Sequence, residues 1–190
     1  MAEVSDRAAV LCEVERFHGH FMYLNEELSL IAELLAVEGE GRKRIPDLCS
    51  EAKADLRKKQ ADLEVFRDGC RPDAPRFDGD ALVLATTCAD SIAMEIAALD
   101  LFVEALTVAE HVDDEQLGFV DGVLRTARSV YNSHVSFVHS ALIFEGQELV
   151  AFAESYDTDP AMTASRVAFD TLATTEFPQF RDEVMGPSSG

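Results

Sequence analysis

The residues best placed to do chemistry are a handful of histidines and carboxylates, and the spacing of one group suggests a metal. Glu15-Arg16-Phe17-His18 is an E-x-x-H pattern, which sets a carboxylate and an imidazole on one face of a helix. In ferritin-like bundles two such motifs, with carboxylates from facing helices, hold a di-iron or di-manganese centre. This chain has one E-x-x-H. Glu95, Glu104 and Glu110 with His111, and His134 further on, are the residues from which the other ligands would be drawn. The metal set under this reading is Glu15, His18, Glu110 and His111, with iron or manganese as the cofactor. Glu15 and His18 flank the apolar seam of their helix, however, which puts them at its edge near water. The main reading therefore carries no cofactor and no catalytic residue.

The other histidines point to structure. His134 stands among Tyr131, Val138 and Ala141, the setting of a satisfied core residue. His18 and His20 are two residues apart and diverge on a helix, and His139 is off the face of His134. Glu110 and His111, followed by Asp113-Asp114-Glu115, gather charge at a helix corner, where capping carboxylates explain it. There is no G-x-S-x-G elbow, Walker sequence or G-x-G-x-x-G, so nucleophilic and phosphate-loop chemistry have no motif to rest on. Cys12, Cys49, Cys70 and Cys88 form no C-x-x-C pair and read as buried reduced thiols.

A formal charge of −20 over 190 residues argues against general nucleic-acid binding, which needs a basic face. The charge is uneven: residues 1–41 carry 2 basic and 9 acidic side chains, residues 42–76 carry 10 and 7, and residues 77–190 carry 4 and 20. The basic island contains Arg42, Lys43, Arg44, Lys53, Arg57, Lys58 and Lys59. Its plain reading is a solvated face answering acidic helices. Its sharper reading is a contact for an acidic protein partner, a second copy, or, less readily, an anionic membrane surface through residues 42–76. The apolar stretch from Ala81 to Val112 is interrupted by Asp90, Glu95, Asp100 and Glu104, too many charges for a membrane span. The opening residues lack a secretory pattern, and a cytoplasmic address is the expectation.

The elements that must position these groups are helices. Val10, Val14, Phe17, Phe21, Leu24, Leu28, Ile31 and Leu35 alternate by four and three, a heptad-type seam. Ile45, Cys49, Ala52, Leu56, Lys59, Leu63, Phe66 and Cys70 repeat it. A third helix from about Asp80 to Val112 is apolar nearly all round, as a central helix would be. A fourth seam runs from Leu117 through Tyr131 and His134 to Ala141. Uninterrupted to Tyr156, that helix would reach about 60 Å, so it bends or the molecule is rod-like. Gly118, Gly122 and Gly146 are the weak points. Asp159-Pro160 caps a fifth helix, expected to end near Phe177-Pro178.

The expectation is an all-α bundle of about five long, largely antiparallel helices, one domain over 1–184 with a long loop near 69–80 and a flexible tail at 185–190. Its function is a helical protein-protein interaction or scaffold module, self-associating as a homodimer. The alternatives are a ferritin-like carboxylate-bridged metal protein or oxidoreductase and a BAR-like membrane-associated dimer. A small-ligand pocket inside the bundle is the third possibility, since helix 3 is apolar nearly all round.

Overall fold

The computed structural model describes residues 43–69 and 79–186, and across these the chain is helical with no strand. Helix α1 spans Ile45–Gly69, α2 Gly79–Ala109, α3 Asp114–Ala141, α4 Gly146–Thr158 and α5 Pro160–Thr171. α5 continues through a π-helical turn, Leu172–Glu176, into α6, Phe177–Met185. The neighbours pack side by side as a bundle, with α2 against α1, α3, α4 and α6. The predicted first helix, the loop around 70–78 and the tail lie outside the described residues.

Burial follows the predicted seams. Along α3 every seam residue from Leu117 to Ala141 is buried, His134 included, and along α2 Ile92, Leu99 and Leu106 join Leu84, Cys88 and Phe102 in the core. Polar residues survive in α2 because their hydroxyls bond back into the helix: Thr87 donates to the Val83 carbonyl at 2.8 Å and Thr107 to that of Val103 at 3.1 Å. α3 starts on a capping box, in which the Asp113 side chain accepts from the Gln116 N–H and the Gln116 side chain accepts from that of Asp113.

The long fourth helix bends, and the break falls at one of the three glycines named for it. α3 stops at Ala141, and α4 begins at Gly146 with φ +53°, a conformation that a side chain makes costly. Gly118 and Gly122 sit inside α3 on its exposed side. After the turn α4 folds back, stacking Phe152 on Phe137 and Phe144 at centroid distances of 5.0 and 4.9 Å. Asp159 then caps α5 as expected, accepting from the Ala161 and Met162 N–H groups with Pro160 in the first turn.

One expected boundary needs correction. The helix predicted to end near Phe177-Pro178 runs on to Met185. Proline lacks an N–H and its ring crowds the carbonyl four residues back, the usual reason for a stop. Here the chain widens into the π turn just before Pro178, and the Phe177 N–H bonds five residues back to Leu172. That extra residue makes room for the ring.

Candidate functional site

Where α2, α3, α4 and α5 meet, polar side chains converge on a cavity of about 440 Å³. α2 supplies Thr86, Thr87, Asp90, Ser91 and Met94; α3 supplies His134 and Phe137; α4 supplies Ala153, Tyr156 and Asp157; α5 supplies Arg166. Ser91 and His134 are buried core positions, whereas Asp90 is exposed at the mouth.

The groups form one hydrogen-bonded chain. His134 Nδ1 lies 2.9 Å from the Ser91 hydroxyl and 3.0 Å from that of Tyr156, which also stands 3.3 Å from Nε2. Ser91 Oγ is 3.2 Å from the His134 carbonyl, to which it donates its proton. With the Ser91 proton on that carbonyl, Nδ1–H donates to Ser91 Oγ, Nε2 accepts from the Tyr156 hydroxyl, and the tyrosine oxygen accepts from Arg166. The Arg166 guanidinium also lies over the Tyr156 ring at 4.8 Å, and its two terminal nitrogens donate to Asp157 at 3.3 Å. Its Nε is enclosed and has no acceptor.

Burial sets the protonation states. Desolvation, with the Arg166 charge acting the same way, pushes the His134 pKa down to about 4, so the imidazole is neutral at pH 7. Desolvation raises Tyr156 against the pull of Arg166. Asp90 is raised by desolvation and by Asp157, with Arg166 opposing. One turn along α2 from Ser91, Glu95 is fully buried and neither of its oxygens has a hydrogen-bond partner. Desolvation holds it well above the ordinary carboxylate range.

The residues singled out in the sequence fall elsewhere. Glu110 bonds to Lys53, tying α2 to α1. His111 is exposed, with Nδ1 3.1 Å from the Thr107 carbonyl. Glu104 meets Arg181 at 3.5 Å. Glu95 and Glu110 are separated by four turns of α2, about 22 Å, too far to share an ion. Glu15, His18 and Arg42 lie outside the described residues. Among the described residues no three His, Cys, Asp or Glu side chains gather to hold a metal. Of the basic island, Lys43, Arg44, Arg57 and Lys58 are exposed. Lys53 and Lys59 turn inward, Lys59 to 5.8 Å from the Tyr131 ring centre. Exposed Asp47, Glu51 and Asp55 are interleaved with the basic residues along α1. Cys49 and Cys88 are buried thiols that form no disulfide among the described residues, and burial, aided by Glu110, pushes Cys49 up to about 11.

Sequence reasoning placed His134 in the core, where it is, and missed the partners that make it part of a cavity wall. Arg166 offered a signal: residues 77–190 hold 4 basic side chains against 20 acidic ones. A cation kept in such a segment has a structural or binding reason. No protein-family profile matches the chain, and no curated protein or solved structure is found similar to it.

Chemically, the arrangement suits holding a molecule better than attacking one. Ser91 lies in mid-helix, where the neighbouring backbone N–H groups are committed to helical bonds and offer no oxyanion hole. An imidazole with a pKa of about 4 is also a weak base at neutral pH.

Proposed function

We propose that this bundle binds a small polar molecule in the cavity between α2, α3, α4 and α5. The observation that carries the reading is the convergence of Ser91, His134, Tyr156 and Arg166 from four helices on one space of about 440 Å³. That volume is within the roughly 300–1,000 Å³ of small-molecule sites, and Met94, Phe137 and Ala153 give it apolar walls. A fragment screen followed through the His134 ring resonances tests it. Ligands should shift those resonances and bind about tenfold more weakly to Tyr156→Phe and Arg166→Met proteins, the loss of roughly one good hydrogen bond. Ligands that leave His134 unmoved, or that bind the variants equally well, refute it.

A second reading keeps the interaction module, self-associating or partner-binding, through α1. It is supported by the exposure of Arg57 and Lys58 at mid-helix and of Val65 two turns beyond Lys58 on the same face, with 67% of Val65 open. Light scattering at low and high salt tests it. A salt-sensitive oligomer that Lys58→Glu dissociates supports the reading, and a monomer at every salt concentration sinks it.

A further inference from the structure

The balance of charges and of hydrogen-bond donors around the cavity narrows the kind of molecule it takes, an inference that rests on the ligand-binding reading above. Three charged side chains border the space: Asp90 from α2, Asp157 from α4 and Arg166 from α5. Arg166 and Asp157 are paired. His134 and Tyr156 are neutral, so the carboxylate of Asp90 is the charge left uncompensated at the mouth.

The polar atoms lean the same way. Thr87 gives its proton to the Val83 carbonyl and Ser91 gives its proton to the His134 carbonyl, so both oxygens turn lone pairs, not protons, toward neighbours. With Asp90 they make an acceptor-rich lining. Against these acceptors stand the Nε–H of Arg166, which has no acceptor, and the hydroxyl of Thr86, which can donate or accept. Phe137 contributes an aromatic wall, its ring tilted by 35° to that of Tyr156 at 3.8 Å between ring centres. Aromatic faces attract cations and repel anions. The chain's net charge of −20 raises the local concentration of any cation in the same sense.

We infer that the cavity takes a small organic ammonium ion, with its nitrogen donating to Asp90 and the Thr87 and Ser91 oxygens and its apolar part against Phe137 and Met94. Anions face an uncompensated carboxylate there, and neutral molecules bring it no opposite charge.

The test compares three probes of one size and shape: 2-phenylethylamine, 2-phenylethanol and phenylacetate. Each is titrated into the full chain and followed by the His134 ring resonances and by calorimetry, with the wild type beside an Asp90→Asn protein. Asp90 is exposed, so the substitution leaves the core intact. The amine should bind about tenfold or more tighter than the alcohol, about what one charge-assisted hydrogen bond contributes, and the carboxylate weakest. Asp90→Asn should erase the preference for the amine, bringing its affinity down to about that of the alcohol. Equal binding of amine and alcohol, tighter binding of the carboxylate, or a preference that survives Asp90→Asn overturns the ammonium assignment while the cavity remains a ligand site. If none of the three moves the His134 resonances, the ligand-binding reading fails and this one with it.

Discussion

Glu95 offers the sharpest prediction, because a fully buried carboxyl group without a hydrogen-bond partner must destabilise the fold. Its pKa in the fold stands well above the ordinary 4.5, so the folded protein keeps a proton that the unfolded chain releases. Stability linked to Glu95 is therefore greatest below about pH 4.5 and falls as pH rises, by about 1.4 kcal/mol for each unit until the folded group itself ionises. Apart from that pH dependence, a buried polar group left without a partner costs about 1–3 kcal/mol. Leucine at this position removes the penalty and fills similar space with apolar atoms, surrounded by Ile92, Leu99 and their neighbours. Allowing for imperfect packing, Glu95→Leu should gain about 2–3 kcal/mol at pH 7, which is roughly 5–10 °C in Tm for a chain of this size.

The assay is urea denaturation of both proteins, followed by circular dichroism, from about pH 5 to 8.5. Both proteins carry the same histidines, whose titration cancels in the comparison, so Glu95 dominates the difference. The advantage of the leucine variant should widen with pH. A constant gap, or a variant less stable than wild type at pH 8, would show that Glu95 is ionised and compensated in the fold, and the argument would fall.

In the Glu95→Leu background, His134 should be the visible acid-sensitive group. Its folded pKa lies below its ordinary 6.5, so the unfolded chain takes up the proton first, and about 3 kcal/mol of stability present above pH 6.5 should be lost by about pH 4; a flat profile over that range in denaturation midpoints argues against a buried neutral imidazole. Gly146→Ala should destabilise by about 1 kcal/mol because φ is +53°, whereas Gly122→Ala should stabilise by about 0.5–1 kcal/mol, since a Cβ there meets open space; thermal melts showing the same sign for both contradict this. A double-mutant cycle on Lys53→Met and Glu110→Gln should return a coupling of about 0.5–1 kcal/mol, reflecting side chains only 18% and 21% exposed, and additive effects would mean that the pair contributes nothing.

The helices were legible in the sequence because their information is local. The α3 seam from Leu117 to Ala141 is buried at every position, and the caps at Asp113 and Asp159 form where their residue types place them. The boundary at Pro178 was misread because a local rule about proline met a local remedy, the π turn, that carries no sequence signature of its own. The three glycines could not be ranked from sequence. A glycine on the exposed side of a long helix is tolerated, and only the turn that Leu142, Ile143 and Phe144 make before Gly146 decides which one breaks the chain. The site was the least legible part. Ser91 is 43 residues from His134, Tyr156 is 22, and Arg166 comes from yet another helix, so no spacing rule joins them.

The break at Gly146 and the cavity are one structural fact. In an unbroken helix Tyr156 would lie about 33 Å along the axis from His134, given 22 intervening steps of 1.5 Å. The fold brings the two side chains to 3.0 Å. The turn reverses α4 onto α2 and α3, Phe152 stacks on Phe137 to fix its register, and Asp159 caps α5 so that Arg166 returns to the Tyr156 ring. Each step satisfies a local need: an apolar helix face finds cover, and an exposed helix start finds a cap. Their sum places an arginine, a tyrosine and a histidine around a space that none of the helices encloses alone. A chain seeking stability alone would have filled that space and replaced Glu95 with an aliphatic residue. Keeping a cavity beside an unpaired buried acid lowers stability, and such a cost is characteristic of sites that bind.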